Sequence, residues 1–296
     1  MHPNPCVVLH GGAGNLARYQ GTTRLTDAEE FLSSLLDSVY NDLLKGASAT
    51  EVALTAVRAM EDCGFFHAGR GSSPASNGVV ELDASFMDGS TLRVGAVASV
   101  TLPRHAIDAA YAVLTRTEHV LLVGAEADAQ IRDFGLETVS QEWFTPCDIL
   151  GAAWEVSSAQ LPPMGTVGAV VLDGQGNMVA ATSTGGTLRK TAGRVGDTPI
   201  PGAGTFAKNN VVAVSCTGHG EFFLRAVAAH TVAMRMELLG ETVGTATAMA
   251  LQSVVTLGGS GGIIAVDHRG NYAMPFSTSG MYRAARNSRQ RIVAAL

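Results

Sequence analysis

Three threonines stand where apolar runs meet glycine: Thr166 after Gly165 at the head of Thr-Val-Gly-Ala-Val-Val-Leu, Thr184 before Gly185-Gly186, and Thr217 before Gly218. A threonine hydroxyl is a weak nucleophile at neutral pH and needs a base within hydrogen-bond reach. An N-terminal threonine carries its own, because an α-amino group with an ordinary pKa of about 7.7–8.0 can take up the hydroxyl proton near pH 7. That amine exists only once the preceding peptide bond is broken. Gly165 obstructs this least, since glycine permits the distorted backbone that an N-to-O acyl shift requires. The residues therefore point to cleavage between Gly165 and Thr166, with Thr166 as nucleophile.

The elements that must hold these side chains can be read from pattern. Thr166–Leu172 and Met178–Thr184 flank Gly174-Gln175-Gly176, a hairpin turn. With Gln175 at its centre, Thr166 lies opposite Thr184 with both side chains on one face, and a slip of one residue would separate them. Val211–Thr217 reads as another strand ending in a glycine turn. Upstream, Val7-Val8-Leu9 is expected to be a buried strand running into a tight turn at His10-Gly11-Gly12-Ala13-Gly14. That turn has no Lys-Ser/Thr ending and no helix after it, so it is not read as a phosphate loop. Thr26-Asp27-Ala28-Glu29 predicts a capping box for a helix to about 45, and Ser48-Ala49-Thr50-Glu51 a second to about 61. Asn77-Gly78 is read as a hairpin turn with 79–86 returning, then a strand at 95–100 and helices near 104–116 and 125–134. From 140 to about 165 periodicity fails, as in a linker. Helices near 221–239 and 242–256 and a last hairpin, 263–266 with 272–276, complete the chain. Grouped strands and grouped helices favour a layered α+β fold in one domain spanning 1–296.

Composition narrows the class. The 296 residues are 46% hydrophobic, enough for a large core, and carry a net charge of -6 without a Lys/Arg cluster. Nucleic acid and anionic membranes are therefore not expected partners. Apolar stretches are strand-sized and residues 1–5 lack a signal-peptide pattern, so a soluble, cytoplasmic protein is expected. Cys6, Cys63, Cys147 and Cys216 lack the close pairing of a zinc or redox site and read as buried free thiols.

Taken in chain order, His10–Gly14, Leu82-Asp83-Ala84-Ser85-Phe86-Met87-Asp88-Gly89, Gly165–Val170, Thr182–Gly186, Gly193-Arg194-Val195-Gly196-Asp197, Thr217-Gly218-His219-Gly220-Glu221 and Leu257–Gly262 resemble the plant-type asparaginase/isoaspartyl peptidase family of N-terminal nucleophile hydrolases. The likeness covers nearly the whole chain. It implies a four-layer αββα sandwich, self-cleavage into chains 1–165 and 166–296, assembly as a dimer of those heterodimers, and hydrolysis of β-aspartyl dipeptides and L-asparagine without a catalytic cofactor. It also implies roles. Thr166 attacks, Thr184 hydrogen-bonds it, and Thr217 with the Gly218 amide forms the oxyanion hole, ahead of a helix whose dipole favours negative charge. Arg194 takes the substrate α-carboxylate and Asp197 its α-ammonium, with His219 and Gly220 lining the same turn. A structural sodium ion is implied on backbone carbonyls of Met60, Glu61, Cys63, Phe66, Ala68 and Arg70.

The chain departs from the family at His67, usually Asn, which can carry charge near pH 6.5, and at Thr187-Leu188-Arg189-Lys190, whose basic residues are expected to influence the leaving group. Aspartylglucosaminidases and threonine aspartases typically have Asp before the nucleophile, so Gly165 argues against both. A dipeptidase for β-Asp-Arg or β-Asp-Lys from storage polymer shares the clamp. The rival of another class is a binding relative that never cleaves.

Overall fold

The computed structural model describes residues 4–145 and 165–296. The chain runs β1 (Cys6–Gly14), a 3-10 turn (Leu16–Tyr19), α1 (Thr23–Leu44), α2 (Ala49–Asp62), β2 (Leu82–Asp88), β3 (Val94–Val100), α3 (Ala106–Arg116), β4 (Leu121–Val123), α4 (Gly124–Asp133) and α5 (Gln141–Phe144). After residue 164 come β5 (Thr166–Leu172), β6 (Met178–Thr184), β7 (Thr205–Lys208), β8 (Val212–Gly218), α6 (Gly220–Ala226), α7 (Ala228–Leu239), α8 (Val243–Thr256), β9 (Gly261–Asp267), β10 (Tyr272–Ala273), β11 (Gly280–Arg286) and β12 (Arg291–Ala294).

Two sheets result, one in the order β12-β11-β1-β5-β6-β2-β3-β4 and one in the order β10-β9-β8-β7. Their side chains sort into three apolar layers. Val167, Ala169 and Val171 of β5 face the core built with α1, α2 and α3, while Val170 and Leu172 face Ala213, Ile264 and Val266 of the smaller sheet. Val214, Cys216, Ile263 and Ala265 point the other way, onto Val232 of α7 and Val254 of α8. Both faces of β5 and β8 are thus covered, which is why their sequences read as continuous apolar runs rather than alternating ones.

Pattern and structure agree best where local chemistry is explicit. Ser48 and Glu51 make the expected reciprocal capping box, Glu51 N donating to Ser48 Oγ at 3.2 Å and Ser48 N to Glu51 Oε2 at 2.9 Å. At the first helix the expectation fails: α1 starts at Thr23, and Thr26–Glu29 lies inside it. The glycine run after Leu9 is not a tight turn. β1 continues through it with a bulge between His10 and Gly12, kept in the sheet by antiparallel pairing to β11. Asn77-Gly78 does form a turn, but 79–81 take no strand and β2 begins at Leu82. The single helix expected over 221–239 breaks at Val227, whose φ of 46° is left-handed. Residues 146–164, with most of the expected linker, lie outside the described residues.

Candidate active site

The β5–β6 hairpin has the expected register, Thr166 opposite Thr184 and Leu172 opposite Met178. Both threonines are buried, and the Thr166 hydroxyl donates to Thr184 Oγ1 at 3.2 Å while the Gly186 amide donates to the same oxygen at 3.0 Å. Two donors fix the Thr184 hydroxyl, and Thr184 in turn aims Thr166. The third threonine is placed differently. Thr217, at the end of β8, is buried and accepts the Ala13 amide at 3.3 Å; it bonds to β1, and no hydrogen bond joins it to the other two among the described residues.

Close backbone approach surrounds the bond before Thr166. A Cβ on Gly12, whose φ is 106°, would stand 2.6 Å from Gly165 Cα and 3.3 Å from Thr166 N. The bulge in β1 therefore exists where only glycine lets the strand pass the Gly165–Thr166 peptide. From the other side His67 closes in, its backbone nitrogen 3.3 Å from where a Gly165 Cβ would be, and its Nδ1 3.3 Å from Ser73 Oγ. Burial, with the Arg24 and Arg18 guanidiniums adding to it, pushes the His67 pKa down to about 4, so the charge near pH 6.5 expected from an ordinary imidazole is not carried here.

Below the threonines, one pleat repeat down the strands, lies a second polar row wholly between the sheets. His10 Nε2 and Ser215 Oγ are 2.9 Å apart, Ser215 Oγ and Thr182 Oγ1 2.8 Å, Thr205 donates to Thr182 at 2.6 Å, and Ser85 donates to the Thr198 carbonyl at 2.6 Å and to Thr205 Oγ1 at 2.8 Å. Gly168 makes room for it: a Cβ there would stand 2.1 Å from Ser215 Oγ and 2.4 Å from His10 Nε2. Gly168, Thr182 and Ser215 are each two residues from Thr166, Thr184 and Thr217, so this row pins the strands that carry the upper one. Nothing in the pattern of types singled it out, because hydroxyls in strands are common.

A pocket opens beside the hairpin, lined by Thr166, Thr184, Thr187, Arg194, Asp197 and Gly218. Arg194 Nε donates to Glu221 Oε1 at 2.8 Å, and glycines allow its approach: a Cβ on Gly196 would meet Arg194 Nη1 at 2.8 Å, and one on Gly220 would meet Asp197 Oδ1 at 2.8 Å. Asp197 is buried with Oδ2 unpartnered, and burial pushes its pKa up to about 7 despite the Arg194 charge. An unpartnered carboxylate beside a guanidinium has the charges to pair with a zwitterionic head group. His219 precedes α6, its amide donating to Ser260 O at 2.9 Å and its Nδ1 3.3 Å from Ser260 Oγ. α6 has seven residues, so its dipole is smaller than the sequence suggested. Gly258–Gly262 around Ser260 has the Gly-x-Ser-x-Gly spacing of a serine-hydrolase elbow, yet it leads from α8 into β9, opposite to the strand-to-helix turn that elbow requires.

Lys190 corrects another expectation. Its side chain is buried, Nζ donating to the Glu81 carbonyl at 3.0 Å and lying 3.7 Å from Glu81 Oε2, so it supports the clamp loop from within instead of facing a leaving group. Cys6 and Cys216 are buried thiols as expected, with pKa values raised by burial. Cys63 is only half-buried, and Cys147 lies outside the described residues. At the carbonyl loop, Cys63 Sγ donates to Met60 O at 3.2 Å and Arg70 N to Glu61 O at 2.7 Å. Glycine Cβ atoms would stand 2.6 Å from Glu61 O at Gly69 and 2.5 Å from Phe66 O at Gly71.

A sequence model of the asparaginase family matches residues 3–160 and 155–295. The chain belongs to that family. It is 45% identical to an isoaspartyl peptidase of Salmonella typhimurium over 94% of both chains, and 42% identical to the isoaspartyl peptidase of Escherichia coli over 94% of this chain and 91% of the relative. It is 37% identical to an isoaspartyl peptidase/L-asparaginase of Danio rerio over 95% of this chain and 92% of the relative. Among the described residues no helix is long and apolar enough to cross a membrane.

Proposed function

We propose that the chain is an N-terminal-threonine amidohydrolase that cleaves itself between Gly165 and Thr166 and then releases L-aspartate from isoaspartyl dipeptides and L-asparagine. The observation that carries this reading is the Thr166 hydroxyl, at the first residue of a buried strand, held by Thr184 at the mouth of a pocket containing Arg194 and Asp197. Its family membership and the names of its relatives support the substrate class.

In maturation the Thr166 oxygen attacks the Gly165 carbonyl, the acyl group moves from nitrogen to oxygen, and water hydrolyses the resulting ester, leaving a Gly165 carboxylate and a free Thr166 amine. In turnover that amine takes the hydroxyl proton as Oγ1 attacks the side-chain carbonyl of the aspartyl group. The Thr217 hydroxyl and the Gly218 amide are assigned to the oxyanion; Thr217 accepts the Ala13 amide, which leaves its own hydroxyl hydrogen to be donated. Collapse expels the amine or ammonia, which leaves with the proton that the Thr166 amine had taken up. Water, deprotonated by the same amine, then frees aspartate and restores Oγ1–H. Arg194 and Asp197 hold the α-carboxylate and α-ammonium throughout, with His219 and Gly220 shaping that wall.

The helix, sheet, sheet, helix order of the three apolar layers supports a four-layer αββα sandwich of the N-terminal nucleophile type, with 1–165 and 166–296 as its two chains and a dimer of such pairs as its assembly. The carbonyls of Met60, Glu61, Cys63, Phe66, Ala68 and Arg70 form a neutral, oxygen-only set, and the crowding of Glu61 O and Phe66 O against glycines fits a loop curled for an alkali cation. When bound, sodium would neutralise the carbonyl dipoles and stiffen the turn that carries His67. The test of the main reading is Thr166→Ala, which is expected to remain one chain and to hydrolyse neither substrate. A cleaved or active variant would overturn it, and a parent protein that stays intact and only binds aspartate would favour the non-catalytic relative.

A further inference from the structure

The clamp explains the aspartyl half of a substrate and leaves the departing half unassigned. Gly165 lines two pockets, the one holding Arg194 and Asp197 and a second one formed with Tyr19, Arg24, Phe65, His67 and Tyr282. Gly165 is common to both, so the second pocket lies directly behind the bond that self-cleavage breaks.

The chemistry of that second pocket is cationic and aromatic. Arg24 is anchored by donating to the Phe65 carbonyl at 3.2 Å and lies 5.3 Å from the Tyr19 ring centre, with Arg18 4.5 Å from the same ring. Phe65 and Phe66 stack edge to face at 6.4 Å, and Phe66 meets Tyr282 at 5.5 Å, giving a rigid apolar wall. Arg24 is the charged residue of the lining; Arg18 and Glu29 of α1 lie outside it, and the Arg18 and Arg24 charges still reach buried His67 while that of Glu29 reaches Tyr282.

The pocket measures only about 10 Å³ while Gly165 is joined to Thr166, and we propose that it opens into the leaving-group subsite when the cleaved Gly165 end withdraws, with Arg24 selecting leaving groups that bear a carboxylate beside the scissile nitrogen. Resting on the function proposed above, this makes isoaspartyl dipeptides better substrates than L-asparagine, and acidic or aromatic second residues better than basic ones. A guanidinium pairs with a carboxylate in a way ammonia cannot reproduce. It opposes Arg or Lys leaving groups, so the subsite argues against specialisation for β-Asp-Arg or β-Asp-Lys.

The test needs no variant at first: kcat/KM is measured on purified, self-cleaved protein for β-Asp-Phe, its C-terminal amide, β-Asp-Glu, β-Asp-Lys and L-asparagine. Amidation is expected to lower kcat/KM about tenfold or more, as loss of one hydrogen bond to a charged group does, and β-Asp-Lys is expected to rank below β-Asp-Glu. In Arg24→Gln the ratio of β-Asp-Phe to its amide should fall toward one, and Arg24→Lys should restore part of it. A dipeptide and amide turned over equally, β-Asp-Lys as the best dipeptide, or an Arg24→Gln variant with the parent's ratio would overturn the proposal. Cleaved protein that hydrolyses none of the five would overturn the functional reading itself.

Discussion

Substituting Gly168 by Ala tests whether the buried hydroxyl row positions the nucleophile. The added Cβ would sit 2.1 Å from Ser215 Oγ and 2.4 Å from His10 Nε2. Ordinary contact begins about 1 Å or more further out, so either β5 withdraws from β8 or the 2.9 Å contact between His10 and Ser215 breaks. Overpacking costs about 1–3 kcal/mol, and an unsatisfied buried polar group costs about 1–3 kcal/mol. Since one change can relieve the other, a net loss of about 2–4 kcal/mol is expected. A shift of about 1 Å at Thr166, two residues along the strand, is enough to lower kcat by about a hundredfold. Denaturant unfolding of the precursor gives the stability term. Gel quantification of self-cleavage and steady-state kinetics give the positional one, read as a fall in kcat with KM near the parent's. Adding Ser215→Ala removes the nearest obstructing atom and should recover part of both. A Gly168→Ala protein that cleaves and turns over at the parent's rates would refute the positioning argument.

In the proposed role Asp197 must be ionised to receive an α-ammonium, and its pKa of about 7 means that affinity is lost as pH falls through 7. Beside the acid limb of the Thr166 amine, which kcat and kcat/KM share, a second acid limb near pH 7 is therefore expected in kcat/KM and displaced to lower pH in kcat, where the bound ammonium holds the carboxylate charged; identical profiles for the two parameters would contradict this. The folded protein keeps His67 neutral down to about pH 4 whereas the unfolded chain protonates it near 6.5, so the unfolded state binds more protons in that interval and stability drops as pH falls from 6.5 toward 4. The difference in unfolding free energy between parent and His67→Asn, measured across that range, should shrink with acidification, and a constant difference would be the contrary result. Lys190→Met leaves Glu81 buried beside a lost cation and should destabilise by about 3 kcal/mol while raising KM through the adjoining clamp loop; an unchanged midpoint in denaturant titration would argue that the pair is dispensable.

The hairpin register was legible because the turn glycines at 174 and 176 fix its centre, and a period of two then dictates every partner from Thr166 to Thr184. Ser48 and Glu51 were legible because a capping box is local chemistry. What escaped depended on distant strands. The glycine run of β1 reads as a turn until β11 pairs with it, and the tail strands β11 and β12 were hidden by arginines at 283, 286 and 291 in an otherwise apolar pattern. Likewise, the polar row of His10, Thr182, Thr205 and Ser215 is scattered over the chain and becomes a row only when the two sheets face each other. Lys190 was read with Arg189 as an influence on the leaving group because nothing beside it in sequence announces Glu81.

The most direct test of a hydroxyl served by its own α-amine is the intact mass and N-terminal sequence of the purified protein, followed over time after synthesis and compared with Thr166→Ala. Two chains are expected, residues 1–165 and 166–296, the second beginning at Thr166, with hydrolysis of β-aspartyl substrates appearing in step with them. A single uncleaved chain with full activity, or a cut at any other bond accompanying that activity, would contradict it.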